Sequence, residues 1–122
     1  MANAFAHKSE KTWQEGSECL AREHFNSAAN RLYYSVFQAV KGFAIKTGKM
    51  SEDASDGVHR LALKLVGSQG AQRHYYQGQL NKLYSLRLIA DYKPESVDAQ
   101  RLKDLVKDAD SIRKYFIRIA GS

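Results

Sequence analysis

Breakers and cross-links are scarce in these 122 residues. There is one cysteine, Cys19, so no internal disulfide can form. No basic cluster lies near it to lower its pKa, so a thiol nucleophile is disfavoured and a small packing residue in a reducing compartment is expected. One proline and eight glycines leave little to interrupt long helices. No apolar run approaches the roughly 18 residues of a membrane span, and Met1–Glu10 lacks the apolar centre of a secretory leader. These absences predict a single cytoplasmic domain over residues 1–122 without a membrane segment.

Familiar chemistry is missing as well. His7, His24, His59 and His74 include no pair at i and i+4 and no cysteine partner, so a zinc site is not expected. There is no GxGxxG, no P-loop and no GxSxG. Neither a metal nor a cofactor is predicted.

What the chain does have is positive charge in one place. The net charge is +6. Residues 60–93 hold Arg60, Lys64, Arg73, Lys82, Arg87 and Lys93 against Asp91 alone, while the flanking stretches are close to balanced. An anionic partner, such as RNA, a nucleotide or an acidic protein, follows from that asymmetry. The plainer alternative is a solvated basic face that aids solubility.

Apolar spacing divides the chain into five helical stretches. The first is predicted from about Ser9 to Glu23, with Trp13, Gly16 or Ser17, Leu20 and His24 on one face. Asn26 or Ser27 is the expected N-cap of the second, whose stripe is Leu32, Tyr33, Val36, Phe37, Val40, Phe43 and Ala44. Gly48 is placed to end it, and residues 49–57, with Ser51, Asp53, Ser55 and Gly57, read as a loop. A short third helix turns Val58, Leu61, Leu65 and Val66 inward, and Gly67 and Gly70 bracket the next break. The fourth runs from about Ala71 to Tyr92, with Tyr76, Leu80, Leu83 and Arg87 in line and Pro94 beyond its end. Ser96 is the expected cap of the fifth, whose Leu102, Leu105, Ala109, Ile112, Phe116 and Ile119 repeat at threes and fours. Sustained alternation is absent. The fold class is all-α, an up-and-down bundle of four or five helices.

Arg87 is the most informative residue. It stands seven positions after Leu80 and four after Leu83, on an apolar stripe, where a charge is costly unless paired or partly wet. Either it pairs with Asp91, one turn on, or with a carboxylate across the bundle, or it faces a groove or dimer seam and binds phosphate. Tyr33 belongs to the core stripe, whereas Tyr34, turned by about 100°, either packs as a core aromatic with its hydroxyl hydrogen-bonded or reaches a groove. Arg31 is expected to be solvated. Arg73-His74-Tyr75-Tyr76 mixes basic and aromatic residues suited to RNA, although on a helix only some of them share a face.

Residues Ser27–Val40 (SAANRLYYSVFQAV), Asp56–Arg60 (DGVHR) and Arg87–Tyr92 (RLIADY) together resemble the HEPN domain, named for nucleotide binding in higher eukaryotes and prokaryotes. RLIADY is similar to the R-x-x-A-D-Y ending of one prokaryotic branch, and the likeness extends from about residue 10 to 119. The resemblance implies a helical bundle, a homodimer, and pairing with a minimal nucleotidyltransferase, often as a toxin–antitoxin module. It also implies that nuclease members carry Arg, four to six residues, then His, with the arginine stabilising phosphate charge and the histidine handling the proton. Here Tyr92 stands where that histidine would be, and no arginine of the chain has a histidine five to seven positions on. A tyrosine hydroxyl, with a pKa near 10, is far from the optimum for proton transfer at neutral pH.

The leading expectation is therefore an RNA- or nucleotide-binding HEPN protein that partners a nucleotidyltransferase. Its binding residues would be Arg87, Asp91, Tyr92, Tyr34 and Arg73. The alternatives are a metal-independent ribonuclease toxin using Arg87, with Tyr92 as second candidate, and a non-catalytic protein-interaction module.

Overall fold

Five helices follow one another through the computed structural model, which describes residues 2–53 and 57–121. They are α1 (Ala2–Ala21), α2 (Phe25–Lys46), α3 (Val58–Val66), α4 (Arg73–Tyr92) and α5 (Ala99–Ala120), with no strand among the described residues. Among the described residues no helix is long and apolar enough to cross a membrane. Ser55 of the expected loop and Asp56 of the DGVHR segment lie outside the described residues.

α2 is the hub and packs against each of the other four helices. Its predicted stripe is buried throughout, apart from a half-buried Phe37. Contacts fix the directions. Ser9 meets Ser35 and Gly16 meets Leu32, so α1 runs antiparallel to α2. Asn30 meets Asp91 and Tyr34 meets Arg87, so α4 does too. Asn26 meets Val97, just before α5, and Phe43 meets Phe116, so α5 runs parallel to α2. The result is the expected up-and-down all-α bundle, with short α3 on the connection between α2 and α4. Phe116, Leu32 and Leu102 lie fully inside, each burial contributing about 1.5–3 kcal/mol.

Several boundaries differ from expectation. α1 begins at Ala2, seven residues before Ser9, because alanines at 2, 4 and 6 favour helix without needing an apolar stripe. Its buried residues are Ser9, Thr12 and Gly16; Trp13 and Leu20 are half-buried, and Ser17 and His24 are exposed. The two serines satisfy one another: Ser9 Oγ donates to the Ser35 carbonyl (2.7 Å), and Ser35 Oγ to the Ser9 carbonyl (2.6 Å).

Neither Asn26 nor Ser27 caps α2, which starts at Phe25 behind His24. α1 closes with Glu23 in the left-handed region (φ 62°) and the His24 N–H bonded to the Cys19 carbonyl (2.8 Å), which returns the chain directly into helix. Asn26 instead accepts the Val97 N–H (2.9 Å) and ties the approach of α5 to α2. α2 ends as predicted at a positive-φ Gly48, with Lys49 N–H reaching back to Ala44. Ala62, Leu65 and Val66 are the buried residues of α3, while Val58 and Leu61 are half-buried. α4 starts at Arg73 rather than Ala71 and stops at Tyr92, where Lys93, preceding Pro94, is extended (ψ 152°). Asp98, not Ser96, caps α5, because its carboxylate accepts the Arg101 N–H (2.9 Å).

Candidate functional site

The stripe position of Arg87 brings its side chain to the seam between α4 and α2, where only 14% of it is exposed. Four tyrosine rings surround the guanidinium carbon: Tyr34 at 5.0 Å, Tyr92 at 5.6 Å, and Tyr33 and Tyr84 each at 5.9 Å. Their faces are electron-rich and favour a cation. Nη2 donates to the Tyr34 hydroxyl (2.6 Å). Nε lies 2.9 Å from Asp91 Oδ2, one turn on, yet it is buried without an aligned hydrogen bond, so that contact is ionic rather than directional. Nη1 has no partner among the described residues and is not among the buried orphan atoms. Burial works against the charge of Arg87, but Tyr34, Asp91, Tyr92 and Tyr33 outweigh it and raise the pKa above its ordinary value. Arg87 is a permanent cation with two sides engaged and one corner open.

Asp91 is the keystone on the other side. Asn30 Nδ2 donates to both of its carboxylate oxygens, at 3.1 Å each. Arg31 fixes the orientation of that amide. An arginine can only donate, and its Nε and Nη2 reach Asn30 Oδ1 at 2.9 and 2.7 Å, which turns the amide nitrogen towards Asp91. Arg31 is half-buried, with 41% of its side chain still exposed, so it is partly solvated as expected but also engaged by Asn30. It also lies over Tyr34 (5.7 Å) and within 3.9 Å of Glu15. A shallow cleft of about 360 Å³ opens here, lined by Glu15, Cys19, Asn26, Asn30, Arg31 and Asp91.

A histidine missing from the local motif reaches this cluster from elsewhere. His59, on α3, stacks on Tyr84, and its Nδ1 lies 2.5 Å from the Tyr33 hydroxyl. Burial pushes the Tyr33 pKa further up, with help from Tyr84 and Tyr34 against the opposing charge of Arg87. Tyr33 thus keeps its proton and donates it to Nδ1, which leaves the imidazole proton on Nε2. That Nε2 is buried without a partner among the described residues. Burial first, and the Arg87 charge second, pull the His59 pKa down to about 4. No signal in the sequence joins His59 to Arg87, because the two stand 28 positions apart on different helices.

Of the residues predicted for the site, Arg87, Asp91, Tyr92 and Tyr34 do come together, with Tyr92 mostly exposed above the guanidinium. Tyr34 is half-buried, its hydroxyl engaged by Arg87. Arg73 does not join them. It begins α4 fourteen residues earlier, about 21 Å along the axis, and hydrogen-bonds the Gly70 carbonyl. Tyr75 is likewise occupied elsewhere, donating to Asp108 (2.5 Å). A groove of about 660 Å³ between the α3–α4 turn and α5 lies apart from this chemistry, lined by Val66, Gln72, Tyr76, Ile112, Tyr115 and Phe116 among others.

A second internal cation escaped the sequence reading. Arg113 is 3% exposed, stacked 5.0 Å from the Trp13 ring, and paired with Glu10 (2.7 Å) and Asp110 (2.7 Å). Both carboxylates are partly wet, and the pair joins α1 to α5. Among the described residues no group of three His, Cys, Asp or Glu is placed to hold a metal. Compared with known protein families, residues 2–119 match the HEPN domain. No curated protein matches the chain.

Proposed function

The chain belongs to the HEPN domain family, and from that premise we propose that it binds the phosphates of RNA or a nucleotide at Arg87, as the partner of a nucleotidyltransferase in a toxin–antitoxin-like pair. The observation that carries this reading is the state of the guanidinium. It is a permanent cation held rigidly among tyrosines, with Nη1 unpartnered and outside the buried interior. Rigid placement of a planar donor lowers the entropy cost of gripping a phosphate. Exposed Tyr92 beside it offers a ring on which a base can stack. The concentration of positive charge in residues 60–93 supports the same ligand class. The homodimer and the nucleotidyltransferase rest on the family likeness; light scattering at micromolar concentration tests the first, and co-purification of the native protein the second.

The direct test is titration with an RNA oligomer and with ATP at two salt concentrations, for the wild type and Arg87→Ala. Binding that weakens with salt and is lost in the variant is expected. Salt-independent binding, or none at low salt, overturns the proposal.

One observation favours a second reading, a metal-independent ribonuclease. His59 places a neutral imidazole beside the Arg87 cluster, a residue type that the Arg-x(4-6)-His pattern lacks here, and it becomes a proton acceptor only if the Tyr33 hydroxyl leaves Nδ1. Expression of the chain alone separates the two. Growth arrest with RNA cleavage, abolished by Arg87→Ala and by His59→Gln, favours the enzyme; harmless expression favours the binding protein.

A further inference from the structure

Every donor and acceptor around Asp91 is arranged as though its carboxylate were a bound anion. Asn30 Nδ2 straddles both oxygens at 3.1 Å, and Arg87 Nε stands 2.9 Å from one of them. An amide and a guanidinium converging on two oxygens is also how a protein grips a phosphate. Asp91 is moreover the lone acidic residue among the six basic residues of the 60–93 stretch.

The fit to Arg87 is nevertheless imperfect. The carboxylate is tethered one turn along the same helix, and the Nε–H stays buried without an aligned acceptor although an oxygen is 2.9 Å away. A phosphate entering from solvent has no such tether. It brings more oxygens and can meet Nε and the open Nη1 in better geometry. The better-formed bonds to Asp91 come from Asn30, itself turned by Arg31.

We propose that Asp91 is a resident competitor at this site, a carboxylate that an incoming phosphate must displace from Arg87, held in place by Asn30 and Arg31. The Asn30–Arg31 latch then sets the affinity of the site and favours ligands of high charge density, such as a di- or triphosphate or a polyphosphate backbone, over a single weak anion. This inference rests on the reading of Arg87 as a phosphate site.

Inorganic pyrophosphate, titrated calorimetrically into the full chain, is the probe. Asp91→Asn keeps the shape and removes the competing charge. Asn30→Ala releases the latch without altering net charge. Glu95→Gln removes an equal charge at an exposed position outside the network. If Asp91 holds Arg87 for about nine-tenths of the time, Asp91→Asn binds about tenfold tighter. Asn30→Ala is expected to bind about threefold tighter, and Glu95→Gln within about twofold of wild type. Thermal melts of each variant establish that it is folded. Asp91→Asn binding no tighter than Glu95→Gln, together with Asn30→Ala unchanged or weaker, overturns the competitor role. If that happens while wild-type binding is still abolished by Arg87→Ala, the phosphate site stands without it. Wild-type binding that survives Arg87→Ala, or no binding by either wild type or Asp91→Asn, removes the phosphate site itself and the competitor with it.

Discussion

Acidification from about pH 7 to pH 5 is expected to destabilise the bundle through one side chain, His59. Its pKa falls from 6.5 to about 4 on folding, through burial and then the Arg87 charge. The groups that face it are Tyr33 of α2, which donates to Nδ1, and Tyr84 and Arg87 of α4. None of these welcomes a second positive charge. The folded protein therefore holds the imidazole neutral while the unfolded chain takes up a proton below pH 6.5. Stability is complete above that value and is lost as the pH falls from 6.5 towards 4. The whole difference would correspond to roughly 3 kcal/mol at about 1.4 kcal/mol per unit. The ring is only partly buried, so solvent screening reduces this to about 1–2 kcal/mol. Urea unfolding followed by circular dichroism at pH 7, 6 and 5 measures it, with His59→Gln alongside. By pH 5, about three-fifths of the way through that window, the wild type should lose about 1 kcal/mol and the variant much less. Asp110 titrates below this window: burial raises its pKa, but Lys114 and Arg113 outweigh that and hold it under the ordinary 3.8, so the stability it adds is lost only in stronger acid. An equal pH slope in wild type and His59→Gln would refute the account.

Two glycines should respond in opposite directions to the same change. A Cβ on Gly16 would stand 2.8 Å from Leu32 Cδ2 and 3.1 Å from the Leu32 backbone nitrogen, so Gly16→Ala should cost about 1–2 kcal/mol by thermal melting. A Cβ on Gly78 meets nothing within 4 Å on an exposed part of α4, so Gly78→Ala should add about 0.5–1 kcal/mol in the same assay. Arg113→Ala should cost about 2–4 kcal/mol in urea, because packing on Trp13 and two ion pairs disappear together; partial recovery by Arg113→Met would separate the stem from the charge.

The helices were legible wherever an apolar stripe carried them. α2 and α5 bury nearly the positions that threes and fours select, and Arg87 stood out because it broke such a stripe. The start of α1 is not legible because the alanines at 2, 4 and 6 favour helix without marking an apolar stripe. The caps failed where tertiary bonds competed: Asn26 serves Val97 instead of its own helix. The site was half-legible for a similar reason. Asp91 and Tyr92 share a helix with Arg87, so spacing alone brings them near, whereas Tyr34 meets it only through the packing of α2 on α4. His59, Asn30 and the buried pairing of Arg113 with Glu10 depend on packing between segments distant in sequence. Arg73 shows the converse, since membership of one basic stretch did not amount to proximity on a rod-like helix.

The placement of Trp13 gives the protein two optical reporters that do not overlap. The chain has a single tryptophan, and it lies against Arg113 on the α5 side. The rings around Arg87 are all tyrosines of α2 and α4, or of the residue that ends α4. Indole emission thus follows the docking of α1 on α5, while four of the seven phenols respond to what approaches the guanidinium. A ligand that shifts the second and leaves the first unmoved has been accommodated by side chains, with the helices still in their places.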